Sequence, residues 1–368
     1  MKIAFIGGRN IHKLGGIENY MLNLCTKLKA MGHEPIVYCE SDKDYEEDIN
    51  GFKVIHWKSP KSVYICKIFL GLKSTLNAIF KQKNVDIFHY NAWPPSLWCW
   101  IPRAFRREAI LMGHGLEWKR TKYSSKQQAI MRFMEVVSAI INNHFVMVSQ
   151  EQTDWFAKKY GKKCVTIPTA VNLPSNFEDT AILENYNLSK NGYYLYLGRL
   201  VQDKNPDYLI KAFIKTNTNK SKLVIAGAND SDLEYVEYLH KLANGDNRVI
   251  FTGAVYGLDK ETLLKNCKVF CIPSTIEGLA ITLLEAMSYA KPVIASDIDA
   301  NKEGLGENGI WVKAEDEDDL CRAINYCEDN IDILEKEAEK NYNRIETMFT
   351  WDRISQLYSN YIKSITKD

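Results

Sequence analysis

The sequence predicts an α/β protein built from two doubly wound, parallel-sheet domains. Three observations predict it. Short runs rich in Val, Ile and Tyr alternate with helix-length segments along nearly the whole chain. Those runs form two series, separated by a polar, weakly periodic stretch from Leu173 to Gly192. The two halves also carry opposite charge: residues 1–175 hold eleven more Lys and Arg than Asp and Glu, and residues 176–368 hold ten fewer. Buried, β-branched strands alternating with helices are the pattern of a parallel sheet covered on both faces.

In order, the first series of strands is expected at 2–7 (KIAFIG), 34–39 (EPIVYC), 52–57 (FKVIHW), 85–90 (VDIFHY), 109–113 (AILMG), 144–149 (HFVMVS) and 163–168 (KCVTIP). The second is expected at 193–198 (YYLYLG), 222–227 (KLVIAG), 248–253 (RVIFTG), 268–273 (KVFCIP), 291–296 (KPVIAS) and 309–312 (GIWV). Segments such as IENYMLNLCTKLKAMG and PDYLIKAFIKT supply the helices between them, and the charged tail from Leu320 to Ile365 reads as surface helices. The domains are placed at 1–172 and 173–351. Ligands of doubly wound sheets bind beyond the carboxyl ends of the strands, so the site is expected in a cleft between the two domains.

At 368 residues and 46% hydrophobic content the chain suits two ordinary domains. The start, MKIAFIGG, enters a strand pattern at once and lacks a signal-peptide layout, and no uncharged apolar run reaches the ~20 residues of a spanning helix. The nine cysteines are odd in number, lack CxxC spacing and sit among apolar residues. They are expected to be reduced core thiols of a cytoplasmic protein, with neither disulfides nor a zinc site. The basic half points to an anionic partner. Nucleic acid is set aside, since no zinc finger, RNP strand or KH loop is present; a membrane surface or a phosphate-bearing substrate fits.

Four segments carry chemistry. In GGRNIHKLGGIEN the glycines are spaced too widely for a dinucleotide-binding loop, but Gly15 and Gly16 open a helix, where amide N–H groups attract an anion; a plain turn reads the same way. In GRLVQDKNPDYL, Arg199 and Lys204 leave one strand-to-helix loop and suit a diphosphate, though two solvated cations would look alike. In STIEGLAITLLEAMSYAKPVIASD, two carboxylates, Glu277 and Glu285, border an apolar core and need partners. Glu277 is expected in a loop and Glu285 in the first turn of a helix opening near Ile281. There the amides of Thr282 and Leu283 would face phosphate, and Glu285 would suit a ribose diol. In LMGHGLEWKRTKY, His114 lies just past a strand end, where a structural role competes with a catalytic one.

These pieces, in this order, resemble glycosyltransferase family 4, retaining enzymes of the GT-B fold that use sugar nucleotides. The resemblance covers nearly the whole chain and rests on Gly15 to Glu18, His114-Gly115, Arg199 with Lys204, and the E-x7-E of Glu277 and Glu285 with its EAM and PVIAS. It implies two facing Rossmann-like domains, an N-terminal one for the acceptor and a C-terminal one for the donor. It also implies that 352–368 packs back on the N-terminal domain. Gly15 and Gly16 would approach the donor diphosphate, and Arg199 and Lys204 would neutralise it. Glu285 would hold ribose, Glu277 the transferred sugar, and Gly253, Ala254 and Val255 the base. His114 would lie near the reacting sugar. No metal and no cofactor are implied. Glu277-Gly278-Leu279-Ala280 departs from the family's usual E-G-F-G, and HGLEWKR resembles a rhamnosyltransferase-like subgroup, which suggests a deoxysugar donor.

The expected activity is transfer to a saccharide or lipid-phosphate-linked acceptor in surface polysaccharide or glycolipid synthesis. A sugar-nucleotide epimerase of the same fold, or a non-catalytic nucleotide-sugar binder, are the alternatives. The segment KSVYICKIFLGLKSTLNAIFKQK (61–83) mixes five Lys with Ile, Phe and Leu at near-helical spacing. It fits an anionic membrane surface or an amphipathic helix packed on its own sheet. The tryptophans of 91–105 are expected in core or in an acceptor groove.

Overall fold

The computed structural model describes residues 1–368 apart from 13–14, 61–62, 116–123, 176, 178, 217, 219, 229–232 and 367–368. The chain forms two compact units. Met1–Ala170 with Trp351–Asp368 is the first, and Val171–Thr350 is the second.

Unit 1 holds the strands β1 (Lys2–Gly8), β2 (Glu34–Ser41), β3 (Tyr45–Ile49), β4 (Phe52–Lys58), β5 (Ile87–Asn91), β6 (Glu108–Gly113), β7 (His144–Met147) and β8 (Cys164–Thr166). Their order is β3-β4-β2-β1-β5-β6-β7-β8, parallel except for β3. Successive residues of β1 face opposite layers. Ile3 and Phe5 pack with the Gly16–Ala30 and Trp351–Ile365 helices, while Ala4 and Ile6 pack with the Val63–Phe80 helix. Burial on both faces explains why these strands read as continuous apolar runs.

β3 is absent from the sequence-based assignment. Its sequence, YEEDI, is an acidic edge strand without an apolar run, which is how edges are kept from pairing further. The signal for it was present. Asn50 and Gly51 both take positive φ (52° and 80°), forming a two-residue turn that pairs Ile49 with Phe52. Asn-Gly between strands is the usual sequence of such a turn.

The last helix, Trp351–Ile365, belongs to unit 1. Trp351, Ile354, Tyr358 and Ile362 line one face and are buried, at about 1.5–3 kcal/mol for each large apolar side chain. Polar contacts fix its register: Lys27 pairs with Asp352 at 2.7 Å, His33 Nε2 meets Ser359 Oγ at 2.9 Å, and His89 Nδ1 meets Tyr358 Oη at 2.8 Å.

Unit 2 holds β9 (Tyr193–Leu197), β10 (Lys222–Ala226), β11 (Val249–Gly253), β12 (Val269–Ile272), β13 (Val293–Ser296) and β14 (Ile310–Val312), all parallel and ordered β11-β10-β9-β12-β13-β14. The order reverses at β9, between β10 and β12. Helices after β9 and β10 pack on one face through Leu209, Phe213, Val236 and Leu239. Those after β11 and β12 pack on the other through Leu263, Leu283 and Met287. The chain therefore leaves β9 and β12 in opposite directions, opening a crevice at their carboxyl ends.

Nine of the thirteen strand windows shorten by one to three residues, with Pro168, Gly198, Gly227 and Pro273 falling outside the strands, and those of β1, β2, β4 and β6 lengthen by one or two. All nine cysteines are free thiols, seven of them buried. Burial pushes Cys99 and Cys327 up to about 12.

Three strands of unit 2 end level, with Ala226 opposite both Leu197 and Gly253. Gly198 N donates to Ala226 O at 3.0 Å, and Gly227 N donates to Gly253 O at 2.9 Å. A Cβ at Gly227 would collide with the Gly198 carbonyl oxygen and the Leu200 side chain. Gly227→Ala is therefore expected to destabilise unit 2 by about 1–3 kcal/mol, read as a lower midpoint in urea unfolding. A midpoint equal to the parent would mean that this turn does not set the strand ends.

Candidate active site

In unit 2 the crevice at the order reversal is built by two loops. The first follows β9 and carries Gly198, Arg199, a short 3-10 turn at Gln202–Lys204, and Asn205 before the Pro206–Lys215 helix. The second follows β12 and carries Ser274 to Ala280 before the Ile281–Ser288 helix. Hydrogen bonds stitch them together. Asn205 Nδ2 donates to Pro273 O at 2.9 Å, and Thr275 donates to Asp203 O through its backbone N (3.0 Å) and its Oγ1 (3.1 Å).

Asn205 has a different job from the one its position suggests. It is the residue before the helix, yet its side chain makes no cap bond. With φ at 50° it turns the backbone left-handed, which Asn tolerates better than most residues, and its amide reaches across to the second loop.

Each carboxylate has a cationic partner. Glu277 pairs with Lys204, the two side chains being 8% and 18% exposed, so the pair is nearly dry. Glu285 pairs with Lys260 at 2.6 Å. Lys260 lies on the Gly257–Asn266 helix and was missed by sequence reasoning, because a lysine in an exposed-looking GLDKETLLKN carries no local signal. The structure also corrects one placement. The helix starts at Ile281, so Glu285 is its fifth residue and stands in the second turn, away from the N-terminal amides. The first bond to the residue before the helix is Leu284 N to Ala280 O, at 3.2 Å, so the N–H groups of Ile281, Thr282 and Leu283 precede the helical ladder. Ala280 offers them no side-chain cap.

Tyr196 fixes the approach to Arg199. Its hydroxyl donates to Arg199 O at 2.7 Å. Burial, with the Glu277 carboxylate adding to it, pushes the phenol far above its ordinary range, so it stays a donor. At the end of β11, Gly253 takes φ 71°, followed by Ala254 and the buried Val255. Arg199, Lys204, Glu277, Ala254 and Val255 thus lie between strands and helices at the carboxyl edge of one sheet, with Gly253 ending β11 and Thr282, Leu283 and Glu285 on the helix that follows β12.

In unit 1 the corresponding reversal lies between β2 and β5, at β1. Gly7 and Gly8 end β1. A Cβ on Gly7 would lie 2.7 Å from Asn91 O, and one on Gly8 would strike Met21. Gly15 precedes the Gly16–Ala30 helix without a side-chain cap. Glu18 folds back over Gly15, leaving no room for a Cβ there, and its Oε1 accepts from Arg9 N at 2.9 Å. This end of the helix therefore already carries a carboxylate. His114 follows β6, and its Nε2 lies 3.0 Å from Asn91 Oδ1. The remainder of the HGLEWKR motif, from Leu116, lies outside the described residues. Trp93 is core, Trp98 Nε1 donates to Ile68 O at 2.8 Å, and Trp100 is exposed.

Among the described residues one group has metal-ligand chemistry: His12, Glu47 and His56, with donor atoms within 4.8 Å of one another. Both Nε2 atoms already donate to Glu47 Oε1, at 2.8 and 2.6 Å. His56 Nδ1 is buried without the acceptor that metal-ligating histidines keep. The trio reads as a hydrogen-bonded sheet edge.

Residues 14–174 match the model of Glycosyltransferase Family 4, and residues 179–344 match that of Glycosyl transferases group 1. An uncharacterized glycosyltransferase of Methanocaldococcus jannaschii is 31% identical, over 46% of this chain and 44% of its own length. O-antigen chain mannosyltransferase C of Escherichia coli is 26% identical over 94% of this chain and 93% of its own. The Campylobacter jejuni N,N'-diacetylbacillosaminyl-diphospho-undecaprenol alpha-1,3-N-acetylgalactosaminyltransferase is 22% identical over 99% and 100%. Among solved structures, sucrose-phosphate synthase from Thermosynechococcus elongatus superposes with TM-score 0.84 at 19% identity, covering 100% of both chains. Anabaena HepE in complex with UDP-glucose superposes with TM-score 0.80 at 18% identity, covering 99% of this chain and 100% of that one. The paired α/β units are those of the GT-B fold, and with two family models matched end to end along it, the chain belongs to the family 4 glycosyltransferases.

Proposed function

We propose that this glycosyltransferase moves a hexose or deoxyhexose from a nucleoside-diphosphate sugar to a saccharide or lipid-diphosphate-linked acceptor, with retention and without a metal. The observation that carries the reading is the crevice at β9 and β12. There Arg199 and Lys204 leave one loop, Glu277 leaves the other, and an uncapped helix end stands beside them. A departing diphosphate needs cationic and N–H donors in a site shielded from water, and these supply them. The relatives support the transfer chemistry: they are named as a mannosyltransferase and as an N-acetylgalactosaminyltransferase acting on a diphospho-undecaprenol carrier. HepE was crystallised with UDP-glucose, which supports a nucleotide-sugar donor.

The roles follow from chemistry. Lys204 exchanges its carboxylate partner for the incoming phosphate, and the released Glu277 accepts hydrogen bonds from sugar hydroxyls. Arg199 provides a forked donor to the same diphosphate. Glu285 accepts from a ribose diol. Thr282 and Leu283 contribute backbone N–H groups, Gly253 to Val255 border the base, and Gly15 and Gly16 approach the phosphates. His114 meets a hydroxyl of the reacting sugar.

Titration calorimetry with UDP, dTDP, GDP and ADP, in the presence of EDTA, tests the donor site. One nucleoside diphosphate is expected to bind, and Arg199→Ala with Lys204→Ala should weaken it at least 100-fold, about 3 kcal/mol. Equal affinity in the double variant would remove the phosphate clamp, and binding only with added Mg²⁺ would remove metal independence.

The same reading places the enzyme on an anionic membrane. Of the twenty exposed large apolar side chains described, ten lie between Ile65 and Ile140. The Val63–Phe80 helix buries Cys66, Leu70 and Ala78 against its own sheet and still exposes Ile65, Phe69, Leu76 and Phe80. Phe105 stacks edge-on to Phe80 at 5.8 Å, and the Ser125–Ile141 helix of the same unit exposes Ile130, Phe133 and Ile140. In the same stretches of chain Lys81, Lys83, Arg106, Arg107, Lys126 and Arg132 are exposed, whereas Asp86 and Glu108 are half-buried and Glu135 is buried. Exposed apolar side chains together with exposed cations suit anionic lipid. Among the described residues no helix is long and apolar enough to cross a membrane. Vesicles containing phosphatidylglycerol should pellet the protein at low salt, and Phe69→Ser with Phe133→Ser should reduce the bound fraction several-fold. Binding that is unchanged in that variant would contradict the assignment of this face.

A further inference from the structure

His114 does not stand alone. It belongs to a chain of hydrogen bonds that crosses unit 1 from the last helix to the end of β6. Tyr358 Oη lies 2.8 Å from His89 Nδ1. His89 Nε2 lies 3.3 Å from Asn91 Oδ1, and His114 Nε2 lies 3.0 Å from the same oxygen. His89, Asn91 and Tyr358 are fully buried.

The direction of each bond follows from Asn91. Its Nδ2 faces Ile6 O at 3.4 Å and Met21 Sδ at 3.3 Å, and both of these only accept. The amide is thereby oriented with its NH2 towards them and its oxygen towards the two imidazoles. A carbonyl oxygen cannot donate, so both Nε2 atoms must carry hydrogen. His89 is then the Nε2–H tautomer, and its Nδ1 accepts from the Tyr358 hydroxyl. Burial, helped by the neighbouring His114, lowers His89 to about 3, which keeps it neutral in this chain. With two donors, Asn91 Oδ1 has both lone pairs in use. The tautomer of a histidine is set by the partner of one nitrogen, and that choice decides what the other nitrogen does.

We propose that Asn91 is a positioning residue that holds His114 as its Nε2–H tautomer, so that Nδ1 can only accept, and a sugar hydroxyl that meets it must donate. The inference rests on the reading of His114 as a sugar contact, and it adds the direction of that contact: His114 accepts there. The two glycines ending β1 are part of the arrangement. Asn91 O packs so closely on Gly7 that a side chain there would push β5 away, and φ at Gly7 is 109°. The closing helix is part of it too, through Tyr358.

Long-range proton–nitrogen correlation of the full chain labelled with 15N-histidine reads the tautomer directly, at alkaline pH where exposed imidazoles are neutral. The chain has seven histidines, and His114→Ala identifies the signals that belong to His114. The expected result is a protonated, pyrrole-type Nε2 and an unprotonated, pyridine-type Nδ1 at His114. A protonated Nδ1, or two averaged nitrogens, would overturn the proposal, and this measurement needs no change at Asn91. Asn91→Ala, in a sample whose unfolding remains cooperative, should average the two His114 nitrogens. A His114 tautomer unchanged in that variant would also overturn it. Neither result depends on nucleotide binding, so the donor site can fail by calorimetry while the tautomer stands, and the reverse.

Discussion

The Asn205 amide holds together two loops that the sheet itself sends apart. At the reversal of strand order in unit 2, β9 feeds a helix on one face and β12 a helix on the other. That divergence makes room for a ligand, but it also means that the cations and the carboxylate of the site arrive on separate backbones. The bond from Asn205 to Pro273 O and the pair from Thr275 to Asp203 O close the gap beneath the Lys204–Glu277 pair. Without them each loop would answer only to its own helix. The left-handed φ of Asn205 and the close approach of Gly227 to the Gly198 carbonyl accompany this meeting of backbones.

The two ion pairs answer the question raised by carboxylates at the rim of a core. Neither is an isolated buried charge: Glu277 has Lys204 and Glu285 has Lys260. A nearly dry pair contributes little net stability, because desolvation offsets most of its attraction. It does keep two opposite charges in place, each able to exchange its partner for a matching group on a ligand. A single positive clamp would bind diphosphate more tightly and release the product more slowly. In the proposed function the opposing carboxylate moderates that affinity and provides an acceptor for hydroxyl groups in the same step.

Much of this was legible in the sequence. The strand runs of β1, β9 and β12 are apolar because both faces of their sheets are covered, so their existence could be read even where their ends could not. The helix opening at Pro206 was announced by its Pro. What escaped has physical reasons. The acidic edge strand β3 hides its β character in charge, and only the Asn-Gly turn after it gives it away. Lys260 escaped because its role depends on two helices meeting, which no local pattern records. Asn205 stands where a cap would and is a bridge, its backbone turned left-handed. His89 looked like strand interior and Asn91 lay just past the expected strand, and only the return of the last helix, with Tyr358, shows that they form a polar chain.

The central claim is that Lys204 is shared between Glu277 and a diphosphate, and the effect of Glu277→Gln on nucleoside diphosphate affinity tests it most directly. If the two compete for one ammonium group, removing the carboxylate's charge should leave binding of the preferred nucleoside diphosphate equal or tighter, while sugar transfer falls. If Glu277→Gln weakens that binding as much as Lys204→Ala does, the carboxylate is not a competitor and the exchange of partners at the crevice is wrong.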